Sequence, residues 1–440
     1  MTRLHNELDL DAYWLPFTAN RAFKSNPRLI VSASGTRCRT DDGRELLDGM
    51  SGLWCCNAGH SHPRIVEAIR RQAAELDYAM AFQLGHPTAF RLAERLAAMA
   101  PADLNAVFFT NSGSESVDTA LKIALAYHHA RGESSRTRFV GRERGYHGAG
   151  FGGMSVGGIG NNRKAFGAHL PDVVHLPQTH DLEHQAFSRG QPTWGAHLAD
   201  ELERIVAVNH PSTIAAVIVE PFAGSAGVLV PPVGYLERLR EITTRHGILL
   251  IFDEVITAFG RLGSAFAAER FGTVPDIVTV AKGITGGAVP MGAVLVRDEV
   301  REAIVDAARD PIEFFHGYTY SGHPLASAAA MAALDVYEEE GLFDRARRLE
   351  GVLEDALHGL ADKRNVVDIR NIGLAGAVEL RPRNGAPGAR GAEAFGAAFD
   401  RGVLVRATGD IIAVAPPLVA LEEEVETIAS VLGGALDDLD

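Results

Sequence analysis

A chain of 440 residues, 46% hydrophobic and 22% charged, can bury large cores, so one large domain with a smaller companion is expected. Its 42 Lys+Arg against 56 Asp+Glu give a net charge of -14, and no cluster of Lys or Arg offers a phosphate-backbone footprint, which argues against nucleic acid as a partner. Cys38, Cys55 and Cys56 are too few for a disulfide framework and lack CxxC spacing, no stretch approaches the roughly 18 apolar residues of a membrane span, and the acidic, interrupted N-terminus does not read as a signal peptide; a cytoplasmic protein without a metal site is expected.

In chain order, LIVSASGTRCRT (29–40) reads as strand, and PRIVEAIRRQAAEL (63–76) places Val66, Ile69, Ala73 and Leu76 at helical spacing. NAVFFT (105–110), the helical VDTALKIALAYHHAR (117–131) and TRFVGRE (137–143) follow. Then come TIAAVIVE (213–220), the helical YLERLREITTRHG (235–247), GILLIFD (247–253) and DIVTVAK (276–282). These apolar runs are continuous rather than alternating, which predicts a mostly parallel central sheet buried on both faces and covered by helices. Past about residue 330 a long helical stretch (332–361) leads into the strand-like IRNIGLAGAVEL and GVLVRATGDIIAVAPP, a smaller α+β unit; RPRNGAPGARGAE (381–393) reads as an exposed loop. The expected organisation is an α/β large domain over 60–329 and a C-terminal small domain over 330–440, with an N-terminal segment over 1–59 packing on the latter.

Three buried-looking runs end in an ionisable residue: Glu220, Asp253 and Lys282. Ligands of open α/β sheets bind beyond the carboxyl ends of the strands, so one place in the fold is expected to collect all three. A lone charge closing an apolar strand is usually the chain reaching water; three converging ones ask for another explanation. NSGSES (111–116) follows a strand and opens a helix. Ser112 and Glu115 have capping-box spacing, Gly113 permits a tight turn, and the free N–H groups of such a helix start suit a phosphate. An anion site beside a strand-end Lys and a strand-end Asp points to a phosphate-bearing ring with a basic nitrogen and an aldehyde.

NSGSESVDTALKIA, GYHG, DEVITAFGR, AKG after a further short run, and HGYTYSGHPLA together resemble a class III (omega) aminotransferase of fold type I, dependent on pyridoxal 5'-phosphate. The match runs in order from about residue 13 to the C-terminus. WLPFTANR, GLWCCNAGH, FQLGHP and VEPFAGS make the chain most similar to the beta-alanine (omega-amino acid):pyruvate aminotransferases. The resemblance implies that Asp253 faces the pyridine nitrogen and keeps it protonated, and that Lys282 is joined to the cofactor aldehyde and later shuttles a proton between the substrate and the cofactor's C4′ carbon. It assigns Ser112, Gly113 and Ser114 to the phosphate, Tyr146 and Val255 to the two ring faces, and His147 and Glu220 to the cofactor's surroundings. Thr319 matches a phosphate ligand donated by a neighbouring subunit, so a homodimer, or a tetramer of paired dimers, is implied.

For the substrate, the resemblance makes Arg406 the carboxylate clamp and Phe17, Leu53, Trp54, Phe82, Tyr146 and Tyr318 the apolar walls. One departure matters: relatives acting on longer omega-amino acids carry EPxQxE, whereas this chain has Glu220-Pro221-Phe222-Ala223-Gly224-Ser225. That argues against an ornithine- or 4-aminobutyrate-type enzyme and leaves Arg406 free to bind pyruvate's carboxylate and then withdraw. The expected reaction moves the amino group of an omega-amino acid or primary amine to pyruvate, giving L-alanine and a semialdehyde or ketone. Taurine:pyruvate and polyamine:pyruvate transamination are the nearer alternatives, and decarboxylase or aminomutase chemistry shares the fold. GAGFGG (148–153) satisfies GxGxxG, but the glycine-broken MSVGGIGNNRKAFG after it is no amphipathic helix, and an NAD-dependent oxidoreductase gives Lys282 no role. The histidines of GHSHP and YHHAR read as packing or cap residues lacking a third metal ligand.

Overall fold

The computed structural model describes residues 8–440, so the first seven residues of the N-terminal segment, and with them the reading of the extreme N-terminus, lie outside the described residues. Seven strands form the central sheet in the order 106–110, 292–296, 277–280, 249–253, 214–219, 138–142, 173–176. Ile214–Val219, Leu249–Asp253 and Ile277–Val280 are buried at every position, as their unbroken Val/Ile/Leu composition requires of strands covered on both faces. Neighbouring strands from 138–142 to 277–280 pair in parallel. Gly292–Val296 runs antiparallel to Ile277–Val280 and to Ala106–Thr110. Its approach is a tight turn through Gly286 (φ 61°) and Gly287 (φ 76°), too short for the crossover that a parallel neighbour needs.

Two smaller sheets stand outside this layer. Ile30–Ser34, Arg37–Thr40 and Glu45–Asp48 form an antiparallel meander whose last strand pairs in parallel with Val403–Leu404, through Leu47 and Asp48. Val366–Ile372, Ala375–Leu380, Ile411–Val414 and Arg406–Thr408 form the other, with Arg406 on its edge strand. The long helical stretch is two helices, Pro324–Glu339 and Leu342–His358, divided at Gly341, whose φ of 60° ends the first. The exposed loop after Leu380 is shorter than expected, because a helix begins at Ala389.

The helix Pro63–Glu75 buries a different face from the one its apolar spacing predicted. Ile65 is 3% exposed and Val66 40%, and Ala73 also faces outward. Ile65, Ala68 and Ile69 pack on the core, and Ile65 reaches the Gly286 turn. Several near-equivalent apolar residues left the register undetermined by one position.

Arg261, in the same run as Asp253, ties the layers together. Fully buried, it donates to Leu374 O (2.9 Å), Pro416 O (2.7 Å), Ser51 Oγ (2.8 Å) and Asn57 Oδ1 (3.2 Å), and burial pushes its guanidinium down to about 10. Arg261→Met strands these acceptors; at about 1–3 kcal/mol per unsatisfied buried group, roughly 3 kcal/mol or more of stability is lost. Urea unfolding followed by circular dichroism reads this, and a loss under about 1 kcal/mol contradicts the role.

Of the two carboxylates closing Leu249–Asp253, Glu254 turns into the core. It accepts from Ala267 N (2.5 Å), Ala268 N (3.0 Å) and Thr257 Oγ1 (3.0 Å), serving the start of the helix Ala267–Phe271. Burial outweighs these bonds and raises its pKa from 4.5 to about 7. Between those two values the folded chain keeps a proton that the unfolded chain has released, so this group's contribution makes stability fall as pH rises through that window. Glu254→Gln removes the titration: its unfolding free energy, read by urea denaturation, declines less than the parent's between pH 5 and pH 7, by an amount on the order of 3 kcal/mol at most. Parallel pH profiles for the two proteins would sink the assignment.

Candidate active site

The carboxyl ends of the parallel strands open onto a cavity of about 310 Å³. Five strands deliver groups to it: Ser112–Ser114 after Ala106–Thr110, Tyr146–Gly148 after Arg138–Arg142, Glu220 after Ile214–Val219, Asp253 at the end of Leu249–Asp253, and Lys282 after Ile277–Val280. The convergence expected of the three strand-end charges is present in the geometry, and Cys55 enters the wall from the N-terminal segment.

Asp253 is buried and fixed on three sides. Its Oδ2 meets His147 Nδ1 at 2.8 Å, while Oδ1 accepts from Thr279 Oγ1 and Val255 N, each at 3.2 Å. The other ring nitrogen of His147, Nε2, is buried without a hydrogen-bond partner. Glu220 Oε1 accepts from Tyr146 N at 2.9 Å, and burial raises its carboxyl to about 7. Burial lowers the Lys282 amine, with Asp253 opposing that shift, so a fraction of neutral amine larger than in water faces the cavity. Lys282 itself holds φ at 46°, a left-handed conformation that costs a non-glycine residue about 1–3 kcal/mol.

At the other end of the cavity the helix Gly113–Ala130 begins. Ser112 Oγ accepts from Glu115 N at 3.2 Å, but the Glu115 carboxylate reaches Asn111 N (2.8 Å) rather than Ser112 N, one residue short of a full capping box. The first-turn N–H groups have no intrahelical partner and carry the positive end of an 18-residue helix. A Cβ on Gly113 would stand 2.9 Å from both methyls of Val255, so glycine is what lets Val255 close that wall. Ser114 Oγ accepts from Ala149 N at 3.0 Å, and Gly148 (φ 94°) passes so close that a Cβ there would lie 2.5 Å from that oxygen. The phosphate-type end and the Tyr146–His147 loop are thus one packed unit.

Apart from Tyr146, the residues with expected substrate or subunit roles are not in the lining of this cavity in the single chain. Arg406 stands near Tyr146 and Lys282, both of which feel its charge; its Nε is buried without a hydrogen-bond partner, and among the described residues no carboxylate pairs with it. Trp54 is 2% exposed against Phe222, with ring centroids 6.2 Å apart, and does not line the cavity. Phe17, Leu53 and Phe82 are 79%, 51% and 52% exposed, Phe82 lining a separate apolar cavity beside Met80 and Phe90. The Tyr318 hydroxyl lies 3.3 Å from Thr119 Oγ1, and Thr319 is exposed, its carbonyl accepting from Tyr78.

Sequence reasoning passed over Thr279, Asn111 and Cys55. Thr279 carried the one usable signal, a hydroxyl in the middle of the apolar run IVTVA. It also missed that Cys38 and Asp48 converge on His60: Asp48 Oδ2 at 2.7 Å and Cys38 Sγ at 3.6 Å meet one ring nitrogen, and the Asp48 hydrogen bond holds that imidazole protonated up to about 10. The other histidines are partnered as packing residues, His62 with Glu340, His128 with Glu133 and Ala215 O, and His129 with Ser134.

A helix-start anion cradle, a buried carboxylate and an amine of lowered basicity around one cavity fit pyridoxal 5'-phosphate. The fold is that of the pyridoxal-phosphate-dependent transferases of fold type I: an omega transaminase from Pseudomonas jessenii in complex with PMP superposes with a TM-score of 0.94 at 35% identity, over 99% of this chain and 98% of that one. The class III aminotransferase family model matches residues 18–436. The chain is 61% identical over 429 residues to the omega-aminotransferase of Caulobacter vibrioides, covering 97% of this chain and 98% of that protein. It is 50% identical over 437 residues to the beta-alanine–pyruvate aminotransferase of Pseudomonas aeruginosa, covering 99% and 97%. The chain belongs to the class III aminotransferases, and it is a pyridoxal-phosphate-dependent aminotransferase. Among the described residues no helix is long and apolar enough to cross a membrane.

Proposed function

We propose that this aminotransferase moves the amino group of a beta-alanine-type omega-amino acid, or of a primary amine, to pyruvate, giving L-alanine and a semialdehyde or ketone. The carrying observation is Arg406, a guanidinium beside the cavity that has no carboxylate partner among the described residues. A planar fork left unpaired suits the carboxylate of a small keto acid, which it meets bidentately. Ala223 and the half-buried Ser225 stand where longer-chain enzymes carry the glutamine and the glutamate, and among the described residues no carboxylate takes that place beside Arg406. The 61% and 50% identities to an omega-aminotransferase and a beta-alanine–pyruvate aminotransferase support the same reading.

Pyridoxal phosphate, when bound, supplies the electron sink for the carbanion chemistry. The chain's own groups do the rest. Lys282 Nζ carries the cofactor and then moves the proton at the substrate carbon, which its lowered basicity permits. Asp253, oriented by His147, Thr279 and Val255 N, would present its carboxylate to the ring nitrogen. Ser112, Gly113 and Ser114 hold the phosphate, Tyr146 and Val255 enclose the ring, and Glu220 positions Tyr146 through its backbone. Phe17, Leu53, Trp54, Phe82 and Tyr318 bound the substrate once a second subunit is in place, and Thr319 reaches the phosphate of its neighbour; the working form is a homodimer in the cytoplasm. The chain divides into 1–59, 60–329 and 330–440, the helix Pro324–Glu339 carrying the second junction.

Half-reactions with beta-alanine, taurine, putrescine and 1-phenylethylamine, followed by loss of the cofactor's visible absorbance, test the substrate class. Beta-alanine is expected to react fastest among the three biological amines; a panel led by taurine or putrescine would overturn this. Arg406→Ala separates the roles further. The KM for pyruvate is expected to rise roughly 10- to 100-fold, the worth of a charge-assisted bidentate pair, while the 1-phenylethylamine half-reaction changes several-fold at most. Equal losses in both halves would disprove a clamp that withdraws.

A further inference from the structure

All three cysteines of the chain lie close to one another near the cavity, and none is in a disulfide. Cys38 is occupied by His60. Cys55 and Cys56 are arranged differently. Their backbone N–H groups both donate to Ser51 O, at 2.9 and 3.0 Å, which folds the two residues back and sets their sulfurs 3.8 Å apart. Two glycines in left-handed conformation face the pair. A Cβ on Gly52 (φ 63°) would stand 3.1 Å from Cys56 Sγ and 3.5 Å from Cys55 Sγ; one on Gly287 (φ 76°) would stand 3.0 Å from Cys55 Sγ and 3.3 Å from Cys56 Sγ. Both sulfurs therefore press on the turn whose Gly287 N donates to Lys282 O at 3.3 Å, and Cys55 lines the same cavity as Lys282.

We propose that Cys55 and Cys56 form a dithiol site for a thiophilic ligand that takes two sulfurs, a monosubstituted trivalent arsenical, and that its occupation stops transamination by displacing the Gly286–Gly287 turn that carries Lys282. The ligand class follows from what surrounds the sulfurs. Among the described residues no histidine, cysteine or carboxylate completes a three-ligand group with them, so a metal ion needing four protein ligands is not served, whereas two sulfurs saturate such an arsenical. Reactivity favours the same pair. The hydrogen bond from Cys56 holds the Cys55 thiol below the ordinary thiol range and Cys56 above it, so a thiolate and its proton-bearing neighbour share one site. In the reaction two As–S bonds form as the As–O bonds break. The oxygen leaves as one water with both thiol protons, and arsenic stays trivalent, so no oxidant or reductant enters.

The test titrates freshly reduced holoenzyme with phenylarsine oxide. Expected are one arsenical per chain by native mass spectrometry, loss of two of the three thiols to titration, and activity falling in step with uptake. A small dithiol is expected to restore activity and a monothiol at equal thiol concentration is not. Cys38→Ser should behave like the parent in uptake and inhibition, while Cys55→Ser and Cys56→Ser bind no arsenical that survives a monothiol wash. Uptake persisting in both of those variants overturns the proposal. So does full uptake with activity intact, or no uptake by native holoenzyme when all three thiols titrate after unfolding.

Discussion

Lys282→Ala is expected to lower kcat for amino transfer by roughly 10⁴-fold or more while leaving the fold intact, because the change removes both the proposed covalent anchor and the proposed proton carrier. Lys282 holds its left-handed φ of 46° because the short 3-10 turn Lys282–Thr285 and the Gly286–Gly287 turn fix it there, and alanine meets the same constraint. Deleting an amine whose charged form burial disfavours relieves a desolvation cost, so the melting temperature of the cofactor-free protein should be unchanged or raised. Added methylamine, small enough for the vacated space, is expected to restore part of the rate, which a merely structural lysine would not allow. Stopped-flow half-reactions read all of this; a variant keeping more than about one hundredth of the parent rate would remove Lys282 from the chemistry.

Asp253→Asn comes next in size. The substitution keeps the shape of the side chain and its contacts to Thr279 and Val255 N, but removes the negative charge and alters the 2.8 Å contact with His147. A ring nitrogen facing a neutral amide is no longer held as a cation, and loss of one preorganised electrostatic partner costs about 10²- to 10³-fold in kcat. The visible absorbance of the bound cofactor should change its pH dependence, since the charge that fixed the ring's protonation is gone. Thr279→Val, which removes only one hydrogen bond to the carboxylate, is expected to fall between the parent and Asp253→Asn. An Asp253→Asn enzyme within tenfold of the parent, with an unaltered spectrum, would place the ring nitrogen elsewhere.

Much of this was legible because each signal was local. An apolar run ending in a charge states both that a strand is buried and where it surfaces, so Glu220, Asp253 and Lys282 belong together on the pattern of the sequence alone. Ser112 announced its helix by capping chemistry alone. Contacts across the sheet were not legible: His147 and Asp253 are 106 residues apart, and no spacing rule joins them. The antiparallel strand Gly292–Val296 is as apolar as its neighbours, and only the shortness of the turn before it sets its direction. In the helix Pro63–Glu75 the core takes Ile65 instead of Val66, a choice the pattern left open because the two are equally apolar and adjacent. Arg261 gave no sign that it was buried, since its four acceptors come from Ser51, Asn57, Leu374 and Pro416. The exposed Phe17, Leu53 and Phe82 could not be placed from sequence for a further reason: their proposed role needs a second subunit.

The most direct test of the central claim is chemical. Sodium borohydride fixes the cofactor to whichever amine carries it, and peptide mapping by mass spectrometry then identifies that residue. The label is predicted on the peptide containing Ala281-Lys282-Gly283, at Lys282. A label on any other lysine, or a protein that takes up no pyridoxal phosphate, would contradict the assignment of Lys282 and of the cavity around it.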